Sequence, residues 1–258
     1  MNFFLIKEWI VYFHKRNDEH ALHSPFFYEL YTKLIKHPPT HFDDRIEGLR
    51  TKFMQSEDIV EFNDYGAGST VTKSRFRKIS EIAKSSSSGK KFSSLLYSII
   101  ELYGFEHILE LGTSLGLNAA YMGKSSHVKQ CITFEGDSTV AQIAKDHLAH
   151  QSNTEVIVGN IDKTLPDFLK QCNNQLDLMY IDANHTFEAT QKYVKWLLPH
   201  CHKRSMIIID DIHWSKGMKQ AWNSLKYLPL VTASMDIFDA GFLFLNPDLK
   251  DQHHILNF

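Results

Sequence analysis

Three aspartates follow two apolar runs of the chain and could work together in one site. Asp182 comes directly after the run LMYI, and Asp210 and Asp211 come directly after the run MIII. If the two runs are neighbouring parallel strands, about 4.8 Å apart, their carboxyl ends bring these side chains together. Converging carboxylates repel one another unless a cation lies between them, and Mg²⁺ is the ion that suits oxygen ligands without a thiolate. The alternative is that Asp210 or Asp211 caps the helix that follows.

A glycine-containing loop follows an earlier apolar run. The run HILEL leads into Gly112-Thr113-Ser114-Leu115-Gly116, and a helical pattern comes next. Glycine allows a tight turn, and the N-terminus of a helix offers unpaired N–H groups to a ligand. The spacing lacks the middle glycine of the dinucleotide fingerprint G-x-G-x-x-G. About 20 residues further on, Glu135 ends the next apolar run, where a carboxylate can accept hydrogen bonds from both hydroxyls of a ribose.

Alternating strand and helix patterns are predicted to position these residues. After the serine-rich stretch 85–89, short β-rich runs alternate with helical segments, which is typical of βαβ units and a parallel sheet. The predicted strands are 107–111, 129–134, 155–158, 176–181, 205–209, 230–237 and 241–246. The predicted helices are 116–124, 138–149, 164–170, 186–199 and 215–226. Turn residues at 239–241 predict that the last two strands pair as an antiparallel hairpin.

The fold class is therefore α/β: a Rossmann-like, mostly parallel seven-stranded sheet with a C-terminal antiparallel hairpin. We expect residues 1–84 to be an N-terminal helical extension and residues 85–258 to be the main domain. Helices are predicted in the extension at 3–15, 25–36, 43–60 and 73–84, with a flexible turn at 66–69.

The first of these helices has an apolar face. Phe3, Ile6, Ile10 and Phe13 fall near helical spacing, which predicts an amphipathic helix that packs on its own domain or on a sister subunit. A homodimer is compatible with this pattern. A membrane surface is the alternative partner.

Composition limits the classes of protein to consider. The chain has 258 residues, 43% of them hydrophobic, enough for one or two domains with a real core. Its 28 Lys and Arg against 30 Asp and Glu give a formal charge of −2, which argues against a nucleic-acid-binding protein. Three cysteines without metal spacing predict a reducing, cytoplasmic environment. No apolar run reaches 18 residues, so no transmembrane segment is expected.

Five segments together resemble a known family. LELGTSLGLNAAYM, FEG, GNIDKTLP, YIDANH and IIIDDIHW, in this order and spacing, resemble the class I S-adenosylmethionine-dependent methyltransferases. The most similar group is the O-methyltransferases of the catechol and caffeoyl-CoA type and their bacterial relatives. The resemblance covers about residues 90–246 and implies S-adenosylmethionine as the cofactor and a small molecule as the substrate.

The resemblance also implies roles for residues around the cofactor. Those that would shape the methionine side of the pocket are Glu110, Gly112 and Gly116, with Thr113, Ser114 and Asn118 nearby to bind the amino and carboxylate groups. Glu135, followed by Gly136, would hold the ribose. Ile161 and Asp162 match positions that flank the adenine, and Asp182 is the remaining cofactor contact that the resemblance implies.

On the substrate side, Asp182, Asp210 and Asp211 match the metal-binding acids of the family, with two departures. Asp211 stands where the family usually has asparagine, and His185 stands where it often has a lysine as the candidate general base. A histidine, with an ordinary pKa near 6.5, can take a proton at neutral pH. His213 is a second candidate base or ligand.

The resemblance implies transfer of a methyl group to a hydroxyl oxygen of a small, phenolic or vicinal-diol substrate with divalent-metal assistance, and Asp182 and His185 as catalytic residues. Three alternatives stay open. The first is a metal-independent methyltransferase that acts on nitrogen, carbon or another oxygen. The second is a nicotinamide-dependent oxidoreductase, and the third is a non-catalytic interaction module.

Overall fold

The computed structural model describes residues 3–36, 42–61, 75–86, 88–249 and 251–258. The predicted turn at 66–69 and the start of the predicted helix 73–84 lie outside these residues. The chain divides into two compact units. The first unit comprises Met1–Pro38 and Gln175–Phe258, and the second comprises Pro39–Asn174. The expected boundary between residues 84 and 85 stays a prediction.

Helices and strands alternate along most of the described chain. The α-helices are α1 (Phe3–Lys15), α2 (Pro25–Leu30), α3 (Asp44–Gln55), α4 (Ile79–Ser86), α5 (Lys90–Tyr103), α6 (Leu117–Gly123), α7 (Ser138–Leu148), α8 (Ile161–Gln171), α9 (Phe187–Leu197) and α10 (Lys216–Leu225). The strands are β1 (Ile59–Glu61), β2 (Phe76–Lys78), β3 (His107–Leu111), β4 (Gln130–Glu135), β5 (Thr154–Val158), β6 (Leu176–Ile181), β7 (Cys201–Asp210), β8 (Ala233–Asp236), β9 (Ala240–Phe244) and β10 (Gln252–Ile255). A π-helix, Tyr31–Ile35, continues α2. None of the described helices is long and apolar enough to cross a membrane.

The eight strands β3 to β10 form a mostly parallel α/β sheet. Their order is β10-β8-β9-β7-β6 in the first unit and β3-β4-β5 in the second. β9 pairs antiparallel with both β7 and β8, so the predicted C-terminal hairpin is confirmed together with the fold class. The prediction of seven strands is wrong by one, because β10 pairs in parallel with β8. The β10 sequence QHHI is mostly polar and carries no strand signal of its own, so only its distant partner reveals it.

The region before β3 differs from the predicted all-helical extension. The predicted helix 43–60 ends at Gln55, and β1 pairs antiparallel with β2, which occupies the start of the predicted helix 73–84. Opposite charges accompany this pairing, since Arg75 bonds to Glu61 and Lys78 bonds to Glu57. Pairing between distant segments has overridden local helical propensity here. The helix α5, which precedes β3, was not among the predicted helices.

The helix α1 forms as predicted, but it packs through the opposite face. The four residues that predicted the packing face are all exposed: Phe3, Ile6, Ile10 and Phe13. Tyr12 is the buried residue of the helix. Packing of this face on its own domain is therefore wrong, because the inward contacts are made by a tyrosine hydroxyl and a carboxylate, whose polar atoms do not contribute to an apolar pattern. Packing on a sister subunit stays a prediction.

Gly241 in β9 permits close packing of the hairpin against α10, and this contact gives a first testable prediction. A Cβ at position 241 would lie 2.6–2.8 Å from three ring carbons of Trp222, which is itself buried. We expect Gly241→Ala to lower the free energy of unfolding by about 1–3 kcal/mol, because a rigid indole must move. Gly48→Ala is the matched control, since Gly48 lies inside α3 with nothing within 4 Å of the added Cβ. This control is expected to raise stability by about 0.5–1 kcal/mol. Chemical denaturation measures both changes, and equal stability of the two variants would contradict the prediction.

Candidate cofactor site and acidic cluster

In the second unit, the loop between β3 and α6 turns through three residues with left-handed backbone. Gly112 has φ 101°, Ser114 has φ 47° and Gly116 has φ 74°. The N–H groups of Gly112 and Thr113 both donate to the carbonyl of Phe134 in β4, each at 3.0 Å. The predicted glycine loop is therefore fastened to the carboxyl end of the neighbouring strand.

Gly116 is required by packing as well as by its backbone angle. A Cβ there would lie 3.0 Å from the Cβ of Ala144 and 3.1 Å from both His147 Nε2 and Leu148 Cδ1. Since L side chains rarely adopt φ 74°, a larger residue would be strained even if α7 moved away. The start of α6 is thus held close against α7.

Glu135 ends β4 and connects this loop to the next turn. Its Oε2 accepts a hydrogen bond from the Ser114 N–H at 2.8 Å, and its Oε1 accepts one from the Asp137 N–H at 2.9 Å. Burial raises the pKa of Glu135, while these backbone N–H groups counteract the rise. A carboxylate has about four acceptor positions, so two remain for other donors. The predicted ribose-binding residue is therefore half-buried, fixed in place and still able to accept hydrogen bonds.

Two predicted cofactor contacts, Glu110 and Thr113, take part in buried hydrogen bonds. Glu110 is fully buried and accepts a hydrogen bond from the Thr133 hydroxyl, which lies 2.5 Å from the Thr113 hydroxyl. Thr133 was not singled out from the sequence, although its position next to Phe134 in β4 places it opposite the glycine loop.

Asn118 in α6 uses its side-chain amide inside the protein. Its Oδ1 accepts a hydrogen bond from Ser93 at 2.6 Å, and its Nδ2 donates to Ser88 at 3.0 Å. Ser93 in turn accepts from Arg50 at 3.0 Å. Asn118 thus links α6 to α5 and α3, and its contact with the cofactor stays a prediction.

The β5–α8 turn reaches the same strand end. The Gly159 N–H donates to the carbonyl of Glu135 at 2.8 Å, and Gly159 has φ 132°. Asn160 caps α8 by accepting from the Asp162 N–H at 2.8 Å. Ile161 and Asp162, the predicted neighbours of adenine, begin the helix that follows this turn, and Asp162 is exposed.

In the first unit, the ends of β6 and β7 hold a cluster of acids around one histidine. His185 Nε2 lies 3.3 Å from Asp182 Oδ1, and His185 Nδ1 lies 4.0 Å from Asp211 Oδ2. Tyr180 donates its hydroxyl to Asp182 Oδ2 at 3.2 Å. Left-handed backbone at Asn184 (φ 56°) and Asp211 (φ 55°) turns the chain at the two strand ends. The structure thus brings together the predicted catalytic pair and one of the two later aspartates.

The charged groups of this cluster shift the pKa values of Asp210, Asp211 and His185. Burial raises the pKa of Asp210 well above its usual range, and the charges of Asp182 and Asp211 raise it further. Burial also raises the pKa of Asp211 to about 6, against the lowering effect of His185. For His185, burial lowers the pKa, but the hydrogen bond with Asp182 and the charges of Asp182 and Asp211 outweigh it and the pKa is raised.

The arrangement does not match a metal site. Within the described ranges, no three His, Cys, Asp or Glu side chains are placed to hold one ion. The imidazole of His185 lies 3.3 Å from Asp182 Oδ1 and 4.0 Å from Asp211 Oδ2, so both carboxylates face this ring. The imidazole of His185 therefore lies among the acids predicted to be metal ligands. This geometry does not support the predicted Mg²⁺ site.

His213, the other candidate base, has a different environment. It is 3% exposed, its Nδ1 lies 3.0 Å from Glu8 of α1, and its Nε2 lies 2.9 Å from Asp236 of β8. Its ring stacks on Phe238 with the centroids 5.0 Å apart. Both ring nitrogens already face carboxylates, so His213 fastens α1 to the hairpin. No local sequence signal could have shown this, because Glu8 is 205 positions away.

A cavity of about 540 Å³ in the second unit lies away from these strand ends, between α3, α6 and the turn after α7. Its charged side chains are paired with one another: Arg45 with His150 at 2.9 Å and Lys124 with Asp43 at 2.7 Å. None of the predicted site residues lines it.

Comparisons with known proteins agree with this arrangement. Residues 109–212 match the model of a family described as a methyltransferase domain. The O-methyltransferase imqG of Aspergillus flavus is 28% identical over 119 residues, which is 43% of this chain and 47% of that protein. The chain thus matches about half the length of this curated relative.

Solved structures share the fold at low identity. An O-methyltransferase from Bacillus cereus in complex with SAH has a TM-score of 0.53 at 18% identity and covers 62% of this chain and 82% of its own. The SAH-bound Podospora anserina methyltransferase PaMTH1 has a TM-score of 0.56 at 14% identity, over 81% of this chain and 98% of its own. The family model and the relative support the resemblance to the class I S-adenosylmethionine-dependent O-methyltransferases, the solved structures share the fold, and residues 109–212 match a methyltransferase domain.

Proposed function

We propose that this chain uses S-adenosylmethionine to methylate a hydroxyl oxygen of a small molecule. The observation that carries the proposal is the anchored loop of the second unit: Gly112 and Gly116 have left-handed backbone, and the loop is tied through Ser114 to the half-buried carboxylate of Glu135. The methyltransferase-domain match covers both strand ends that form this loop. The names of the curated relative and of the Bacillus cereus protein favour oxygen over nitrogen or carbon as the acceptor.

The second unit fits such a cofactor. Glu135 is fixed by two N–H donors and retains acceptor positions for the hydroxyls of a ribose. The glycines leave the backbone of the loop open to close approach, and Gly116 begins a helix whose first N–H groups suit a carboxylate. Bound S-adenosylmethionine supplies a methyl group that is already activated, so the protein has to hold it in place and deprotonate the acceptor.

In the first unit, His185 is the proton acceptor of the proposal. A phenolic hydroxyl with an ordinary pKa near 10 is a poor nucleophile at neutral pH, so a base must take its proton. Asp182, 3.3 Å from the ring, orients the imidazole and stabilises its protonated form. We propose a phenol or a vicinal diol as the substrate class. The acceptor hydroxyl gives one proton to His185 and gains one methyl group from the cofactor.

Divalent-metal assistance is the second candidate, and one observation favours it. The charge of Asp182 raises the pKa values of both Asp210 and Asp211, as a converging carboxylate does. The present arrangement of these side chains does not fit an ion, so the proposed proton transfer uses His185 alone.

Free thiols are compatible with a cytoplasmic enzyme. Cys131, Cys172 and Cys201 form no disulfide. We propose the cytoplasm as the compartment on this ground, because unpaired cysteines persist under reducing conditions.

Calorimetric titration of S-adenosylhomocysteine into the full chain tests the proposal, first with Mg²⁺ and then with EDTA. We expect micromolar binding in both conditions, since all but one of the proposed cofactor contacts, Asp182, lie outside the acidic cluster. No binding in either condition would overturn the proposed function. Tighter binding of a catechol to the cofactor-bound protein in Mg²⁺ than in EDTA would favour the metal-assisted candidate.

A further inference from the structure

The helix α1 presents a continuous apolar face to solvent. Its large apolar side chains with 37–87% exposure are Phe3, Ile6, Trp9, Ile10 and Phe13. Their spacing of three and four residues places them on one side of the helix. The Trp9 and Phe13 rings stack with their centroids 5.2 Å apart, so these two rings form a continuous surface.

The opposite side of α1 is fastened to the first unit, which fixes the direction of the apolar face. Glu8 lies 2.9 Å from Lys219 and 3.0 Å from His213. The Tyr12 hydroxyl donates to the carbonyl of Leu256 at 2.5 Å, and its ring lies 5.1 Å from Phe238. Turning the apolar face inward would break these contacts. It would also separate the Glu8 carboxylate, whose side chain is only 13% exposed, from its partners. The face is therefore held outward.

The charges on α1 and directly after it are cationic. Lys7 and Arg16 flank the apolar face, and the Arg16 guanidinium lies 4.1 Å above the Phe13 ring. The acid of the helix, Glu8, is turned inward. Two copies of such a face would bring like charges together, whereas a negatively charged surface would complement them.

The area of the apolar face of α1 also favours binding to a membrane surface over binding to a second copy of the chain. At about 150–250 Å² for a whole aromatic side chain, the exposed parts of these five residues amount to roughly 500 Å². A stable dimer buries about 800 Å² on each partner. A helix of 13 residues is about 20 Å long, shorter than the ~30 Å hydrocarbon core of a bilayer, so α1 would lie along a membrane.

We propose that the outward face of α1 binds an anionic lipid surface. Its aromatic and aliphatic side chains enter the boundary between headgroups and acyl chains, and its cations face the lipid phosphates. The chain is then a peripheral membrane protein whose first unit contacts the bilayer. This inference does not depend on the proposed methyl transfer.

Sedimentation of the full chain with vesicles tests the proposal. Vesicles of phosphatidylcholine with phosphatidylglycerol are compared with vesicles of phosphatidylcholine alone. We expect binding to the anionic vesicles and at least about tenfold weaker binding of the double variant Ile10→Glu/Phe13→Glu. Ile59→Glu is the matched control, because Ile59 is 64% exposed in β1 of the second unit, and its binding should equal that of the unchanged chain.

Further measurements separate folding and self-association from lipid binding. If circular dichroism shows that the apolar double variant is unfolded, Lys7→Glu/Arg16→Glu is the deciding variant, and it is expected to lose the preference for anionic vesicles. A blue shift of tryptophan emission on binding should disappear in Trp9→Phe. Failure of the unchanged chain to sediment with anionic vesicles would overturn the proposal. A dimer in analytical ultracentrifugation that Ile10→Glu/Phe13→Glu converts to monomer would overturn it in favour of a second copy.

Discussion

Glu135→Gln is expected to weaken binding of S-adenosylhomocysteine by about 10- to 100-fold, because a hydrogen bond to a charged group contributes roughly 1.5–3 kcal/mol. The glutamine has nearly the same shape, but it brings an NH₂ group to one of the two N–H donors, from Ser114 or Asp137, that the carboxylate accepts. The substitution thus removes the proposed ribose acceptor and loosens the glycine loop. Calorimetric titration measures the change.

The pH dependence of the same titration gives a second readout. Burial raises the pKa of Glu135, so its carboxylate becomes protonated at a higher pH than an exposed one. The protonated group accepts fewer hydrogen bonds, and we expect affinity to fall as the pH is lowered from 7 towards 5. In Glu135→Gln this dependence should flatten.

Glu155→Gln is the control for both measurements, since Glu155 is an exposed acid of β5 in the same unit. It should leave affinity and its pH dependence unchanged. A folded Glu135→Gln protein that binds as tightly as the unchanged chain would remove the ribose assignment.

Asp182→Asn and His185→Ala are each expected to reduce methyl transfer by about 10²- to 10⁴-fold, the range of general-base contributions. Asparagine preserves the size of Asp182 but removes the charge that raises the pKa of His185. Alanine at 185 removes the ring itself. The measurement is release of S-adenosylhomocysteine with a panel of catechols and other hydroxyl compounds. Because the two side chains act as one unit, the double variant should be little worse than either single variant.

A second aspartate–histidine pair, which joins β6 to β7, provides the control. Asp177 of β6 lies 2.9 Å from His202 of β7, with exposure close to that of the Asp182–His185 pair. Asp177→Asn and His202→Ala should leave turnover within about twofold, because this pair lies towards the other end of β6. Unchanged turnover in His185→Ala, once a substrate is found, would exclude His185 as the base.

The local part of the fold is determined by the sequence. The strands 107–111 and 176–181 have the predicted bounds, because each is a short apolar run bounded by loop residues. The glycine loop and Glu135 were predicted for the same reason: backbone angles and strand ends are properties of a few consecutive residues. The hairpin of β8 and β9 followed from its turn, although the residue with left-handed backbone is Phe238.

Contacts between distant residues are decided by the tertiary structure. β10 exists as a strand because β8 pairs with it, and β1 and β2 pair across the segment between them. The sequence makes His213 a candidate base, but in the structure its two ring nitrogens contact the carboxylates of Glu8 and Asp236. The apolar spacing of α1 predicted a helix, but an apolar pattern does not say which surface covers it. The face that packs is set by hydrogen bonds and ion pairs of Glu8 and Tyr12 with residues more than 200 positions away.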